Sequence, residues 1–245
     1  MTSLLLAVLT IPGGSDDIPI DKVATATIEV KGFPDWLEVA FDSVWVSNPR
    51  AGAVQRIDPK TNRIVAEVKV NRPVAAMASG FGSVWVASRG DKSIVRIDPK
   101  TNTVAAAVPV AIADSEASIA AGEGGVWVVT DRKGVLSRID PKTNKVVAEV
   151  AVKPRSTAAM AGFGAVWISN TGEPKSKENG SVQRVDPKTN AVIATIEVRG
   201  QPRFLAAGEG AVWVLNQADG TVSRIDPESN KVAATIESGV VGPGG

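Results

Sequence analysis

Cysteine, histidine and tyrosine are all missing from this 245-residue chain. Without cysteine there can be no disulfide, no thiolate metal ligand and no thiol nucleophile. Without histidine the usual general base, the commonest metal ligand and the ordinary pH switch are gone. An excess of one charge sign is lacking too: 27 basic residues stand against 26 acidic ones, a net of +1. That balance gives no reason to expect nucleic acid or an acidic membrane surface as a partner. The apolar run at residues 4–11 (LLLAVLTI) is too short to span a bilayer. No Lys or Arg precedes it, so it is either a weak or truncated secretory signal or an extra terminal β-strand. Phosphate-cradling loops, EF-hand spacing and nucleophile elbows are likewise missing.

What is present is repetition. RIDPKTN occurs at residues 56–62, 96–102 and 138–144, with RVDPKTN at 184–190 and RIDPESN at 224–230. A second marker accompanies it, a β-branched pair flanking Trp45, Trp85, Trp127, Trp167 and Trp213. Those tryptophans are spaced by 40, 42, 40 and 46 residues. Within one unit, short β-branched or small-residue runs alternate with turn residues: PVAAMAS, GFGS, VWVAS, RGDKS, IVRI, DPKTN, TVAAAVPV. Four short strands per unit of this length predict an all-β propeller of four-stranded antiparallel blades, with five repeats visible. The ring is either five-bladed or part of a six- or seven-bladed one. The boundaries predicted are an N-terminal segment at 1–21, a propeller at 22–238 and a Gly-rich tail at 239–245. KVATATIEV at 22–30 has the look of an additional fourth strand.

The heptad reads as turn chemistry. Asp accepts a backbone N–H, Pro presets φ, and Asn tolerates the left-handed conformation that returns the chain to a strand. Five equal turns spaced around a ring cannot converge on one substrate. The repeated tryptophans read as packing between neighbouring sheets.

The combination VWV…G-x-V-x-R-I-D-P-x-T-N resembles the repeats of bacterial YVTN-type surface proteins and of the virginiamycin B lyase-like group, over nearly the whole chain. That resemblance implies a propeller. The lyase chemistry, which in that family uses magnesium and a histidine base, has no histidine to carry it here.

Loop variation directs attention to one face. The turns between the first and second strands of each unit, and between the third and fourth, are near-copies. The loops between the second and third strands, and the crossovers to the next unit, differ. Variable loops on a repeated scaffold are where binding residues are carried. They offer Asp35, Trp36, Arg72, Glu116, Arg155, Arg203 and Phe204 from crossovers, and Arg89 and Asp131 from the second-to-third-strand loops. Arginines with a few carboxylates suit a small polar or anionic ligand, or a protein partner; a solvated rim of paired charges is the alternative. The expectation is a non-catalytic, extracytoplasmic binding propeller with no cofactor, no nucleic-acid partner and no membrane span. The competing expectation is a metal-assisted lyase or lactonase-like hydrolase using crossover carboxylates such as Asp35 and Glu116, with Mg²⁺ or Ca²⁺.

Overall fold

The computed structural model describes residues 20–71, 73–113, 118–172 and 180–238. After one helical turn, α1 (Ile20–Val23), the chain forms twenty strands in five separate four-stranded antiparallel sheets. Blade 1 is β1 (Leu37–Ala40), β2 (Ser43–Asn48), β3 (Ala53–Asp58) and β4 (Arg63–Lys69). Blade 2 is β5 (Pro73–Gly80), β6 (Ser83–Ser88), β7 (Ser93–Asp98) and β8 (Thr103–Pro109). Blade 3 is β9 (Ile119–Gly122), β10 (Gly125–Asp131), β11 (Val135–Asp140) and β12 (Lys145–Ala151). Blade 4 is β13 (Ser156–Gly162), β14 (Ala165–Asn170), β15 (Gly180–Asp186) and β16 (Ala191–Val198). Blade 5 is β17 (Pro202–Gly208), β18 (Ala211–Asn216), β19 (Thr221–Asp226) and β20 (Lys231–Glu237).

Burial explains the pattern within a blade. The second strand of the middle blades is buried at almost every position, because a sheet lies against each of its faces. The fourth strand alternates and is mostly exposed, so it forms the outer edge, where Lys and Glu discourage further pairing. Four apolar layers fill the spaces between consecutive blades, and Trp45, Trp85, Trp127 and Trp167 sit one in each, fully buried.

The inner strands pack side by side in the order β1, β5, β9, β13, β17, and that extended packing does not return from β17 to β1. The five blades therefore form an open arc. Among the described residues its two end faces are largely uncovered: Leu37 and Val39 of blade 1 are 63% and 71% exposed. In blade 5 Trp213 is only half-buried, unlike its four counterparts. The segment 24–34, which includes most of the expected additional strand, belongs to no sheet. Each third strand already has its own fourth strand as partner, so a lone outer-strand sequence has no third strand left to pair with.

The heptads make the turns expected of them. In every blade the Asp carboxylate accepts the N–H two residues on, as in Lys60 N to Asp58 Oδ1 at 2.8 Å. Asn62, Asn102, Asn144, Asn190 and Asn230 all have φ of 53–57°. The heptad also does something that the sequence reading missed. Its Arg stacks on the Trp of its own blade and reaches into the next blade. Arg96 lies 5.2 Å from the Trp85 ring centre and donates to Pro141 O at 2.9 Å and Asn144 Oδ1 at 3.2 Å. Arg56, Arg138 and Arg184 repeat this onto Pro99 and Asn102, Pro187 and Asn190, and Pro227 and Asn230. Turn and arginine together form a coupling between blades.

Candidate functional site at the inner crossovers

Asn48, at the buried end of β2, fixes the entry to blade 1. Its amide Nδ2 donates to Lys31 O at 2.6 Å, and its Oδ1 accepts from Phe33 N at 3.0 Å and Ala51 N at 3.1 Å. Gly32 makes this possible, since its φ is 112° and a Cβ there would lie 2.5 Å from the Asn48 Oδ1. The chain then pairs with β2 through Asp35 N to Ser47 O and Ser47 N to Trp36 O, both 3.0 Å. Trp36 is thereby set on the inner strand position opposite Ser47.

The register puts Ala76, Ser118, Ala158 and Phe204 at the matching position in blades 2 to 5. The middle three are small. The two end blades carry aromatics, and these meet: the Trp36 and Phe204 ring centres are 6.3 Å apart, tilted by 37°. Edge-tilted pairs at this separation are favourable. Arg203 stands over Phe204, 5.9 Å from its ring centre. Its carbonyl is held by Ser169 Oγ at 3.1 Å, and Ser169 is in turn bonded to Thr157 at 3.1 Å. Trp36, Phe204 and Arg203 thus form one cluster where the first and last blades approach.

The other expected residues are placed differently. Arg155 has a φ of 66° and donates from Nη1 to Gly172 O at 2.8 Å, which ties it to its own blade's loop. Asp131 is an exposed turn residue, accepting from Lys133 N at 2.7 Å. Asp35 and Arg89 are exposed. Arg72 and Glu116 lie outside the described residues, as does most of the long EPKSKEN loop. Among the described residues no cluster of three or more acidic groups is placed to hold a metal ion. No helix among them is long and apolar enough to cross a membrane.

Glu38, two residues beyond Trp36, is set apart by its surroundings. It points at blade 2, and its Oε1 accepts from Ser79 N at 3.0 Å. Burial pushes its carboxyl above the usual range, opposed in part by the bonds from Ser79.

A family model described as a repeat of unknown function (DUF6923) matches residues 86–181. Solved propellers match over most of the chain. A catalytically inactive virginiamycin B lyase from Staphylococcus aureus with quinupristin superposes with a TM-score of 0.67 at 15% identity, covering 84% of this chain and 70% of that one. The chain is built of β-propeller repeats. Hydrazine synthase from Kuenenia stuttgartiensis gives a TM-score of 0.63 at 14% identity, over 83% and 68% of the two chains. U3-55K gives 0.71 at 10% identity, over 88% and 68%. No curated protein sequence matches. Identities this low speak for the propeller fold of the chain, and activity has to be argued from its own residues.

Proposed function

We propose that this propeller is a non-catalytic binding module whose ligand site is the cluster of Trp36, Phe204 and Arg203. The observation that carries the proposal is the pairing of two aromatics, one from each end of the arc, under a stacked guanidinium. At the matching position the three middle blades carry only Ala76, Ser118 and Ala158. Two rings and an arginine suit a ligand with a flat apolar part and an anionic group. An extracytoplasmic setting is proposed with it, on the apolar run at 4–11 and the resemblance to surface-protein repeats.

Four of the six tryptophans are fully buried, so fluorescence quenching by an added ligand reports chiefly on Trp36 and Trp213. Aromatic carboxylates titrated against the protein should quench, and the quench should shrink in Trp36→Phe. Arg203→Ala should weaken binding by about 1–3 kcal/mol, the range of a charge-assisted hydrogen bond. Binding unchanged by both substitutions would remove the site assignment. The enzyme reading has fold likeness behind it and is tested separately. Turnover of cyclic esters that needs Mg²⁺ or Ca²⁺ and is lost in Glu116→Gln would replace the binding proposal.

A further inference from the structure

The two bare ends of the arc are the two halves of one junction. Each internal junction has the same parts. The leading blade offers a Trp, an apolar patch and an Arg. The following blade offers an apolar inner strand and a turn whose Pro carbonyl and Asn Oδ1 receive that Arg. Blade 5 carries the leading half, and among the described residues no following blade is packed on it beyond the touch of Trp36 on Phe204. Phe204, Ala206, Trp213, Leu215 and Val222 line a shallow groove there. Arg224 stacks on Trp213 at 5.9 Å, farther than the 5.1–5.2 Å of its four counterparts, and makes no inter-blade hydrogen bond among the described residues. Blade 1 carries the following half. Leu37 and Val39 are exposed, and so are Pro59 and Asn62, whereas Asn102, Asn144, Asn190 and Asn230 are all partly covered.

We propose that a second copy of this chain is the occupant. Blade 5 of one copy packs on blade 1 of the next, and Arg224 donates to Pro59 O and Asn62 Oδ1 across the contact. The argument is complementarity. The same chain already forms this junction four times, with matching apolar patches and one cationic fork to two acceptors. Such a contact is head-to-tail, so it can propagate. Each arc curls far enough for Trp36 to touch Phe204, so successive copies must step along the axis like split washers.

Sedimentation velocity over a concentration series tests this. The expected result is a mass that rises with concentration above the 25.4 kDa of one chain. Val39→Lys and Arg224→Glu should each raise the dissociation constant at least tenfold. Val39 is exposed and Arg224 lies at the free end, so both variants should keep the parent's circular dichroism. The decisive mixture combines the two: each then has one live face, so the mixture should form a dimer and nothing larger. A single monomeric species at every concentration would overturn the proposal. So would association that neither substitution weakens.

Discussion

Arg96 donates to the side chain of Asn144, 48 residues further along the chain and one blade away. That one bond, with its neighbour to Pro141 O, joins two sheets that share no strand ladder. Replacing Arg96 with Ala should therefore cost about 3 kcal/mol, from two charge-assisted bonds and a stacked ring. Arg96→Lys keeps the charge but not the planar fork and should fall between. Arg224→Ala removes an arginine that makes no inter-blade hydrogen bond among the described residues, and it should leave the melt of the dilute protein nearly unchanged. Equal losses at positions 96 and 224 would mean that the stack alone matters, not the coupling.

The same arginines differ in one detail. Arg56 and Arg96 donate from Nε to Ser43 and Ser83 at 2.7 and 2.8 Å, but the Nε atoms of Arg138 and Arg184 are buried without a partner. The position that carries Ser in blades 1 and 2 is Gly125 and Ala165 in blades 3 and 4. Ala165→Ser should supply the missing acceptor and stabilise the protein by about 1 kcal/mol, the usual net worth of a hydrogen bond. Thermal denaturation of the single variant decides it, with a lower melting temperature counting against.

Glu38 should be a source of instability at neutral pH. Its folded carboxyl is raised by burial from 4.5, so its contribution is fully present below 4.5 and is lost as pH rises through the folded value. Glu38→Gln keeps an acceptor for Ser79 N without the charge. It should melt higher than the parent at pH 7, and the gap should close as the pH falls below 4.5. A gap independent of pH would show that shape, not ionisation, is responsible.

Four aspartates of the heptads work in the opposite direction. Asp58, Asp140 and Asp186 are held below 3.8, first by the backbone N–H two residues on and then by the Thr hydroxyl. In Asp226 the Ser229 hydroxyl leads. Their stabilisation is present above 3.8 and is lost as pH falls through the lower folded values. The parent should lose stability on acidification below about pH 4, the ordinary carboxylate range, and Asp186→Asn should show a shallower acid limb.

The sequence was legible where identity between repeats met local chemistry. Asp58 to Asn62 can be read as a turn because its partners lie within the heptad, and the structure shows those bonds. The role of Arg56 was hidden because its partners, Pro99 and Asn102, sit in the next heptad. A signal existed: an Arg recurs five times at one place in the third strand, directly across the ladder from the repeated Trp. At the site, Trp36, Phe204 and Arg203 read in the sequence as crossover residues; Arg203 and Phe204 open β17, and no spacing rule could show that the first and last blades bring Trp36 and Phe204 together. Arg155 looked equivalent to Arg203, and only its left-handed backbone and its bond to Gly172 O set it apart.

Four of the five inner strands close on a glycine, with Ala40 in that place in blade 1. A methyl group built on Gly80 would lie 2.9 Å from the Cβ of Ala121, on Gly122 2.8 Å from that of Ala161, and on Gly162 3.2 Å from that of Ala207. On Gly208, at the end of the arc, it would meet nothing within 4 Å. Glycine here works as a spacer of zero thickness, and it sets how tightly the arc is wound near its axis. Thickening it in every blade would open the pitch angle between blades and enlarge the circle they trace. The number of units that such a chain needs to come full circle is then a property of one hydrogen atom per repeat, adjustable without touching the tryptophans, the arginines or the turns.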